Sequence, residues 1–241
     1  MKPLRFSSPL LSAGCLGMAI MVTNHLIAGE LAEPPRGGRV GWARLITSEA
    51  RWNLHSDQDP KLAAFIRSET SLNIDPTWYS VDPVDLEKLC AYPFVYVKDL
   101  TRVRGPKAVD NLAEYLRRGG FIFVDPCTTS FSASDLARFK RQHTELFARL
   151  SPGCNVRELP DTHELYRCYF TVTVDDIFSA DMIRAGATKP PSLGTLGVFA
   201  GERLMAVIST SGLECGWPQT PGRTAGCMKF IVNSYIYAMT R

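Results

Sequence analysis

Apolar and polar positions along the chain predict strands that alternate with helices from residue 40 onward. Short, continuous apolar runs at residues 94–97 and 121–124 are typical of parallel strands that are covered on both faces. Between these runs, apolar residues recur at helical spacing and predict an amphipathic helix over residues 106–118. This alternation predicts an α/β fold: a three-layer sandwich with a mainly parallel central sheet.

The other elements follow from the same patterns and from their boundary residues. Further strands are predicted at residues 40–46, 71–74 and 155–159, and further helices at residues 59–69, after Asp82-Pro83, from Ser132 onward and at residues 222–240. Ser132, with Asp135 three residues later, has the pattern of a capping box, which begins a helix. Two apolar runs flank residues 200–203, and this pattern predicts a β-hairpin that turns at these residues. We therefore expect a C-terminal hairpin and helix in addition to the sandwich.

The first 29 residues differ from the rest of the chain and predict a secretory signal peptide. Lys2 and Arg5 supply positive charge, a run of about a dozen apolar residues follows, and small residues precede Glu30. A membrane anchor retained through residues 9–28 is one alternative, and a cytosolic protein is another. Export would place the protein in the periplasm or outside the cell.

Proline and glycine are concentrated in residues 30–38, which indicates a linker between the signal and a single α/β domain over residues 39–241. The chain has 241 residues, of which 45% are hydrophobic and 21% are charged, as expected for one core-forming domain. The formal net charge is +3, and two of the positive charges lie in the predicted signal. Because no clustered basic surface is indicated, we expect no nucleic-acid partner.

The sequence also lacks the common signatures of metal and cofactor sites. Seven cysteines are present, of which Cys15 lies in the predicted signal, and no pair has CxxC spacing. Neither an HExxH motif nor a glycine-rich phosphate loop occurs. We therefore expect no metal and no cofactor. Export would permit disulfides, but a domain of this size does not need them, and buried free thiols are the expected state of most cysteines.

Six ordered segments together resemble a known family. They are residues 43–45, 92–96, 116–125, 163–166, 211–217 and 232–238. Across residues 39–240 the chain resembles the bacterial domain-of-unknown-function family 4159, most specifically in Gly119-Gly120 before an apolar strand that ends at Asp125, and in Asn233, Tyr237 and Ala238 near the C-terminus. The resemblance implies a flavodoxin-like fold similar to class I glutamine amidotransferases, no established activity, and association with a membrane-protein partner in the bacterial envelope.

The segment after the predicted strand 121–124 holds the first candidate site residues. Asp125 and Thr128 are candidate binding residues, because ligands of parallel sheets bind at the carboxyl ends of the strands. Alternatively, Asp125 caps a loop by accepting backbone N–H groups. Cys127 follows a central strand, where amidotransferase-like folds hold a nucleophile. However, Pro126 and Thr128 stand where a strained nucleophile turn has glycines, which favours a structural thiol. The family often has several cysteines here, whereas this chain has one.

Three residues farther along the chain complete the candidate set. His163 lies in a loop and would serve either as a base for Cys127 or as a histidine packed against an aromatic residue. Tyr166 would line the same edge as His163. Trp217 would either bind a ligand from a loop or close an edge of the core. His143, which lies between charged residues of a predicted helix, is expected to be solvated.

Two functions from different classes follow from these candidates. The favoured interpretation is an exported, non-catalytic α/β domain that binds a partner or ligand at the carboxyl ends of its strands. The alternative is a hydrolase or amidotransferase-like enzyme centred on Asp125, Cys127 and His163. The distances among these three side chains distinguish the two interpretations, because a nucleophile and its base must lie within hydrogen-bond reach.

Overall fold

The computed structural model describes residues 37–127, 132–177, 195–217 and 225–241. The strands in these ranges are β1 (Val40–Leu45), β2 (Ile74–Val81), β3 (Phe94–Val97), β4 (Phe121–Val124), β5 (Asn155–Glu158), β6 (Leu196–Ala200) and β7 (Arg203–Ile208). The α-helices are α1 (Asp59–Glu69), α2 (Leu86–Cys90), α3 (Pro106–Arg117), α4 (Ala133–Leu150) and α5 (Ala225–Thr240). These elements alternate as the apolar pattern predicts.

The strands form one sheet in the order β2-β1-β3-β4-β7-β6-β5. Strands β2, β1, β3, β4 and β7 are mutually parallel, and β6 is antiparallel to both of its neighbours. From β1 the chain continues to β2 on one side of it and then to β3 on the other. A topological switch point, where ligands of such sheets bind, therefore lies between β1 and β3. The prediction of a mainly parallel central sheet is confirmed.

Helices cover both faces of the sheet and complete a three-layer sandwich. On one face, α1 and α5 pack on an aromatic-rich core that includes Trp42, Phe94 and Phe123. On the other face, α2, α3 and α4 pack on mainly aliphatic strand residues such as Val95 and Ile122. Side chains alternate between these faces because successive residues of a strand point to opposite sides. Two apolar faces on each central strand explain why these strands have continuous apolar sequences.

Ring packing joins the central strands on the aromatic face. Phe94 of β3 stacks on Phe121 and Phe123 of β4, with ring centroids 5.7 and 5.9 Å apart. Tyr96 stacks on Phe123 at 6.3 Å, and Trp42 of β1 lies 5.4 Å from both Phe94 and Tyr96. This aromatic layer runs along β1, β3 and β4 toward the edge at which the parallel strands end, which we call the carboxyl edge.

Two predicted boundaries are confirmed and one predicted strand is wrong. Ser132 and Asp135 form the expected capping box of α4, and the β6–β7 hairpin turns at Gly201, which has a φ of 60°. The strand predicted at residues 71–74 is instead β2, which begins at Ile74 and continues through Pro76. Proline is tolerated there because β2 is the edge strand, and an irregularity in its pairing with β1 accommodates residues 75–77.

The expectation that His143 is solvated is also wrong, because its side chain is completely buried. Its Nδ1 lies 2.9 Å from the carbonyl oxygen of Phe139, and its Nε2 accepts a hydrogen bond from the backbone N–H of Leu100. His143 belongs to the buried face of α4, four residues after Phe139 and four before Phe147. This helical spacing, rather than its charged neighbours in the sequence, decides where His143 lies.

The predicted signal peptide, the anchor alternative and most of the predicted linker fall within residues 1–36 and lie outside the described residues. Across the stretches that the structure does describe, none of the helices combines the length and the apolar character that crossing a membrane requires.

Candidate functional site

Charged side chains replace aromatic ones where the aromatic face reaches the carboxyl edge. Arg44 lies two residues beyond Trp42, Lys98 two beyond Tyr96, and Asp125 two beyond Phe123. Because residues two apart in a strand point to the same face, each charged side chain lies on the same face as the aromatic ring before it. We call the set Arg44, Asp59, Lys98, Asp125 and Glu214 the ionic cluster. Each residue of the ionic cluster is buried, and the largest exposed fraction is 6%, for Lys98.

Arg44 is the centre of the ionic cluster. Its Nε and Nη2 each donate a hydrogen bond of 2.6 Å to the carboxylate of Asp59, the first residue of α1. Its Nη1 donates to Glu214 Oε2 at 3.2 Å and to the carbonyl oxygen of Leu54 at 3.3 Å. The guanidinium also lies 4.9 Å from the ring centroid of Tyr96. Arg44 thereby ties the end of β1 to the loop after it and to the segment after β7.

Lys98 and Glu214 form a second ion pair. Lys98 Nζ lies 2.7 Å from Glu214 Oε1. Glu214 lies in the short 3₁₀ turn Leu213–Gly216 that follows β7. The Glu214 carboxylate therefore bridges Arg44 of β1 and Lys98 after β3, the two strands on either side of the switch point.

Asp125 follows β4 and anchors the same turn through its carboxylate. Its Oδ1 accepts the backbone N–H of Leu213 at 3.0 Å, and its Oδ2 accepts the backbone N–H of Glu214 at 3.1 Å. The hydroxyl of Tyr96 donates to Oδ2 at 3.0 Å. Asp125 therefore accepts backbone N–H groups, as the capping interpretation of this residue predicts. The turn that it caps is 88 residues away in the sequence.

The electrostatics of the ionic cluster are governed by burial and by one excess negative charge. Three carboxylates face two cations when every group is ionised. Burial, followed by the charge of Glu214, raises the pKa of Asp125 to about 6. Burial alone would lower the pKa of Arg44, but the adjacent Asp59 and Glu214 outweigh it, so Arg44 stays charged. Burial and the neighbouring Asp125 raise the pKa of Tyr96, which keeps its hydroxyl as a donor.

The loop between β1 and α1 is held against the ionic cluster. After Leu54, whose carbonyl oxygen Arg44 binds, His55 has a φ of 64°, a left-handed conformation unusual for a side-chain-bearing residue. Such strain persists only where surrounding contacts impose it. A groove of about 520 Å³ lies beside this loop, and its lining comprises Asn53, Ser56, Asp57, Pro60, Pro76, Thr77 and Trp78. The ionic cluster thus supports one wall of an accessible groove.

Two of the predicted site residues lie together at the carboxyl edge. Asp125 belongs to the ionic cluster, and Cys127, two residues later, is half-buried. Thr128 lies outside the described residues. Within those residues, no group of three or more histidine, cysteine or acidic side chains is arranged to hold a metal ion.

His163 lies at the opposite edge of the sheet. Its ring centroid is 5.9 Å from the rings of Phe199 and Tyr237. Tyr237 in turn packs on Phe121, the first residue of β4, whereas Asp125 follows the last. The four residue steps from Phe121 to Asp125 span about 13 Å of strand. The structure therefore does not bring His163 near Asp125 and Cys127. His163 instead packs against aromatic residues, which is the second of the two roles predicted for it.

Both aromatic candidates belong to the core. Tyr166 is 2% exposed and packs 5.0 Å from the ring of Phe230 on α5. Trp217 is 1% exposed and contacts Trp42 and Tyr96 at 5.7 and 5.8 Å. Trp217 therefore closes the core beside the ionic cluster, and neither ring is exposed for a ligand.

Cys90, Cys154 and Cys168 are free thiols. Burial raises the pKa of Cys168 to about 11, and burial together with the charge of Asp125 raises the pKa of Cys227 further. Both shifts disfavour the thiolate, the reactive form of cysteine.

Four members of the ionic cluster were not identified as site residues from the sequence. A signal was nevertheless present, because Arg44 lies inside an otherwise apolar strand and Lys98 directly follows one. A charge in or just after a buried strand must be paired, which marks both residues. Their acidic partners, Asp59 and Glu214, lie in segments whose positions depend on the tertiary fold, and no local pattern identifies them.

Comparison with known proteins supplies a family but no activity. The family described as Domain of unknown function (DUF4159) matches residues 42–239. None of the curated proteins matches the chain.

Proposed function

Because the chain belongs to the DUF4159 family, which is described only as a domain of unknown function, we propose its function from the site itself. We propose that it is a non-catalytic domain that binds a partner or ligand at the carboxyl edge of its sheet. We further propose that it acts in the bacterial envelope, with a membrane protein as partner.

The pairing within the ionic cluster carries this proposal. A general acid or base must reach the proton that it transfers. Asp125 is completely buried, and both of its oxygens accept hydrogen bonds from the protein. Arg44 donates hydrogen bonds to Asp59, Glu214 and the backbone carbonyl of Leu54. Groups so fully engaged hold the loops of the carboxyl edge in place and are not presented to a substrate.

The groove beside the β1–α1 loop is a surface on which a partner or ligand could be received. One wall belongs to the loop that follows the carboxyl end of β1, and the other comprises Pro76, Thr77 and Trp78 of the edge strand β2. Asp57 on the loop wall is exposed, whereas Asp59 two residues later is buried in its pair with Arg44. The exposed part of the loop would therefore contact the partner or ligand, and the buried part would hold the loop in place.

Site-specific photo-crosslinking in the native host tests the binding surface. A benzophenone amino acid replaces Asp57 in one strain and, as a matched control, Glu202 in another. Both residues are exposed and acidic, but Glu202 lies in the β6–β7 turn at the opposite edge. We expect light-dependent adducts from position 57 and none from position 202. Equal adducts from both positions, or none from position 57, would contradict binding at this surface.

Export is proposed from the charged and apolar layout of residues 1–29. Mass spectrometry of the protein isolated from its native host should find an N-terminus near residue 29 or 30. A full-length protein recovered from the cytosol would refute export and, with it, a role in the envelope.

The alternative of a hydrolase or amidotransferase-like enzyme is not part of this proposal. Asp125 and Cys127 share the carboxyl edge, but His163, the base in that alternative, packs at the other edge. The alkylation rate of Cys127 and its dependence on His163 test the enzyme alternative.

A further inference from the structure

We propose that a cavity between the segment after β3 (residues 98–105) and helix α4 binds a phosphate group through Arg102, Arg104 and Arg149. The cavity has a volume of about 350 Å³, and each described residue of its lining is polar or charged. None of these residues lines the groove beside the β1–α1 loop, so the inference is independent of the proposed function.

Hydrogen bonds hold two of the three guanidinium groups in place and leave further donors available. Arg104 Nη1 donates to the carbonyl oxygens of Thr101 and Val103, at 2.6 and 3.2 Å. Arg102 Nε donates to Asp99 Oδ2 at 3.2 Å. The other guanidinium nitrogens of Arg102 and Arg104 donate to no residue that the structure describes. Both side chains can therefore bind a ligand and keep the contacts that position them.

Arg149 brings a third guanidinium to the cavity from α4. It lies seven residues after Gln142, whose side chain also lines the cavity, and seven residues are about two turns of an α-helix. Arg149 is exposed, and its side chain forms neither an ion pair nor a hydrogen bond with the described part of the chain. Its charge is therefore available to an anion from solution.

The charges of the lining favour an anionic ligand. Two carboxylates, Asp99 and Glu145, accompany the three arginines. Asp99 is already engaged, since its Oδ2 accepts from Arg102 and its Oδ1 accepts the backbone N–H of Thr101 at 2.9 Å. Glu145 is exposed and forms no ion pair with any described arginine. The lining therefore has one positive charge in excess, and Glu145 weakens the attraction for an anion without cancelling it.

The arginines also determine the class of anion. A guanidinium group binds phosphate or carboxylate oxygens through paired N–H donors. The two oxygens of a carboxylate lie in one plane and face one direction, whereas the oxygens of a phosphate group are tetrahedral and face several. A phosphate group can therefore contact arginines that approach from two separate segments. Soluble phosphate esters and phospholipid headgroups both carry such a group.

Titration of the isotope-labelled protein with inorganic phosphate, followed by NMR at constant pH and ionic strength, tests the site. We expect saturable shifts at Arg102, Arg104 and Arg149. Arg149→Gln should weaken binding about 10-fold, as expected for the loss of a hydrogen bond to a charged group. Arg141→Gln is the matched control, because Arg141 is exposed on the same helix but does not line the cavity. It should leave the affinity almost unchanged.

Sedimentation with phosphatidylglycerol vesicles distinguishes the two sources of the phosphate group. Sedimentation that Arg149→Gln abolishes and free phosphate competes away would support a lipid headgroup. A protein that binds phosphate but stays in solution would support a soluble ester.

A variant with the opposite expected effect separates recognition from a general loss of structure. Glu145→Gln removes the carboxylate that opposes the anion, so it should strengthen phosphate binding. Weaker binding in this variant would contradict the assigned cavity. Absence of saturable shifts in the wild-type protein, or equal losses in Arg149→Gln and Arg141→Gln, would overturn the proposal, because the attraction would then be non-specific.

Discussion

Arg44 and Glu214 are 170 residues apart in the sequence, yet Arg44 Nη1 lies 3.2 Å from Glu214 Oε2. Both side chains are buried, and their contact joins the end of β1 to the turn after β7. A buried ion pair adds little net stability over apolar residues, because both charges have lost their hydration. Removing one partner is nevertheless strongly destabilising, because the other is left as an uncompensated buried charge.

This condition predicts the effect of replacing Arg44. Arg44→Met leaves Asp59 and Glu214 buried with only Lys98 to offset them, and should reduce the free energy of unfolding by about 3–5 kcal/mol. Urea unfolding followed by circular dichroism measures the loss. Arg117→Met is the control, since Arg117 pairs with Glu114 on the exposed surface and its loss should leave the midpoint almost unchanged. A loss below about 1 kcal/mol for Arg44→Met would contradict the assigned role.

The aromatic face provides a second prediction. Phe123 is completely buried and packs against the rings of Phe94, Tyr96 and Phe230. Phe123→Ala should therefore cost about 3–5 kcal/mol, through lost burial and the cavity that remains. Val84→Ala, at a position that is 41% exposed, serves as the control in the same urea series. A cost of less than about 1 kcal/mol for Phe123→Ala would place this strand outside the core.

The burial of His143 predicts a pH dependence of stability. Burial lowers the pKa of His143, and the hydrogen bond with Phe139 and the nearby Asp99 only partly oppose this. The unfolded chain takes up the proton first, so the stability from neutral His143 is full above pH ~6.5 and is lost as the pH falls below it. We expect the difference in unfolding free energy between wild type and His143→Gln to shrink from pH 7.5 to 5. The contribution of Asp125 is present in both proteins and cancels; an unchanged or growing difference would be inconsistent with a neutral, buried His143.

Cys127 should behave as an ordinary thiol. His163, the base in the enzyme alternative, packs against Phe199 and Tyr237, away from Asp125. Alkylation of Cys127 at neutral pH, followed by mass spectrometry, should be no faster than that of the exposed Cys90 in the same chain. His163→Ala should leave the rate for Cys127 unchanged. Rapid, selective labelling of Cys127 that depends on His163 would favour the amidotransferase-like function over a binding domain.

Local pattern was sufficient for most elements and for one residue of the site. Residues 94–97 and 121–124 were identified as strands because a strand with two covered faces must be apolar throughout. The capping box at Ser132 and the hairpin turn at Gly201 depend only on neighbours a few residues away. Asp125 was identified because it follows such a strand directly, and in a parallel sheet this position lies at the carboxyl edge whatever the order of the strands.

What only the tertiary structure decided are the contacts between distant segments. The order of the strands brings β1, β3, β4 and the turn after β7 together, and only this order pairs Arg44 with Glu214. The tertiary structure also places His163 and Asp125 at opposite ends of the parallel strands, although both lie in segments that the sequence marks as candidates. Apolar periodicity records which face of an element is buried, because burial acts on each residue separately. It does not record which charge meets which, because that depends on segments whose separation in sequence carries no information about their distance in space.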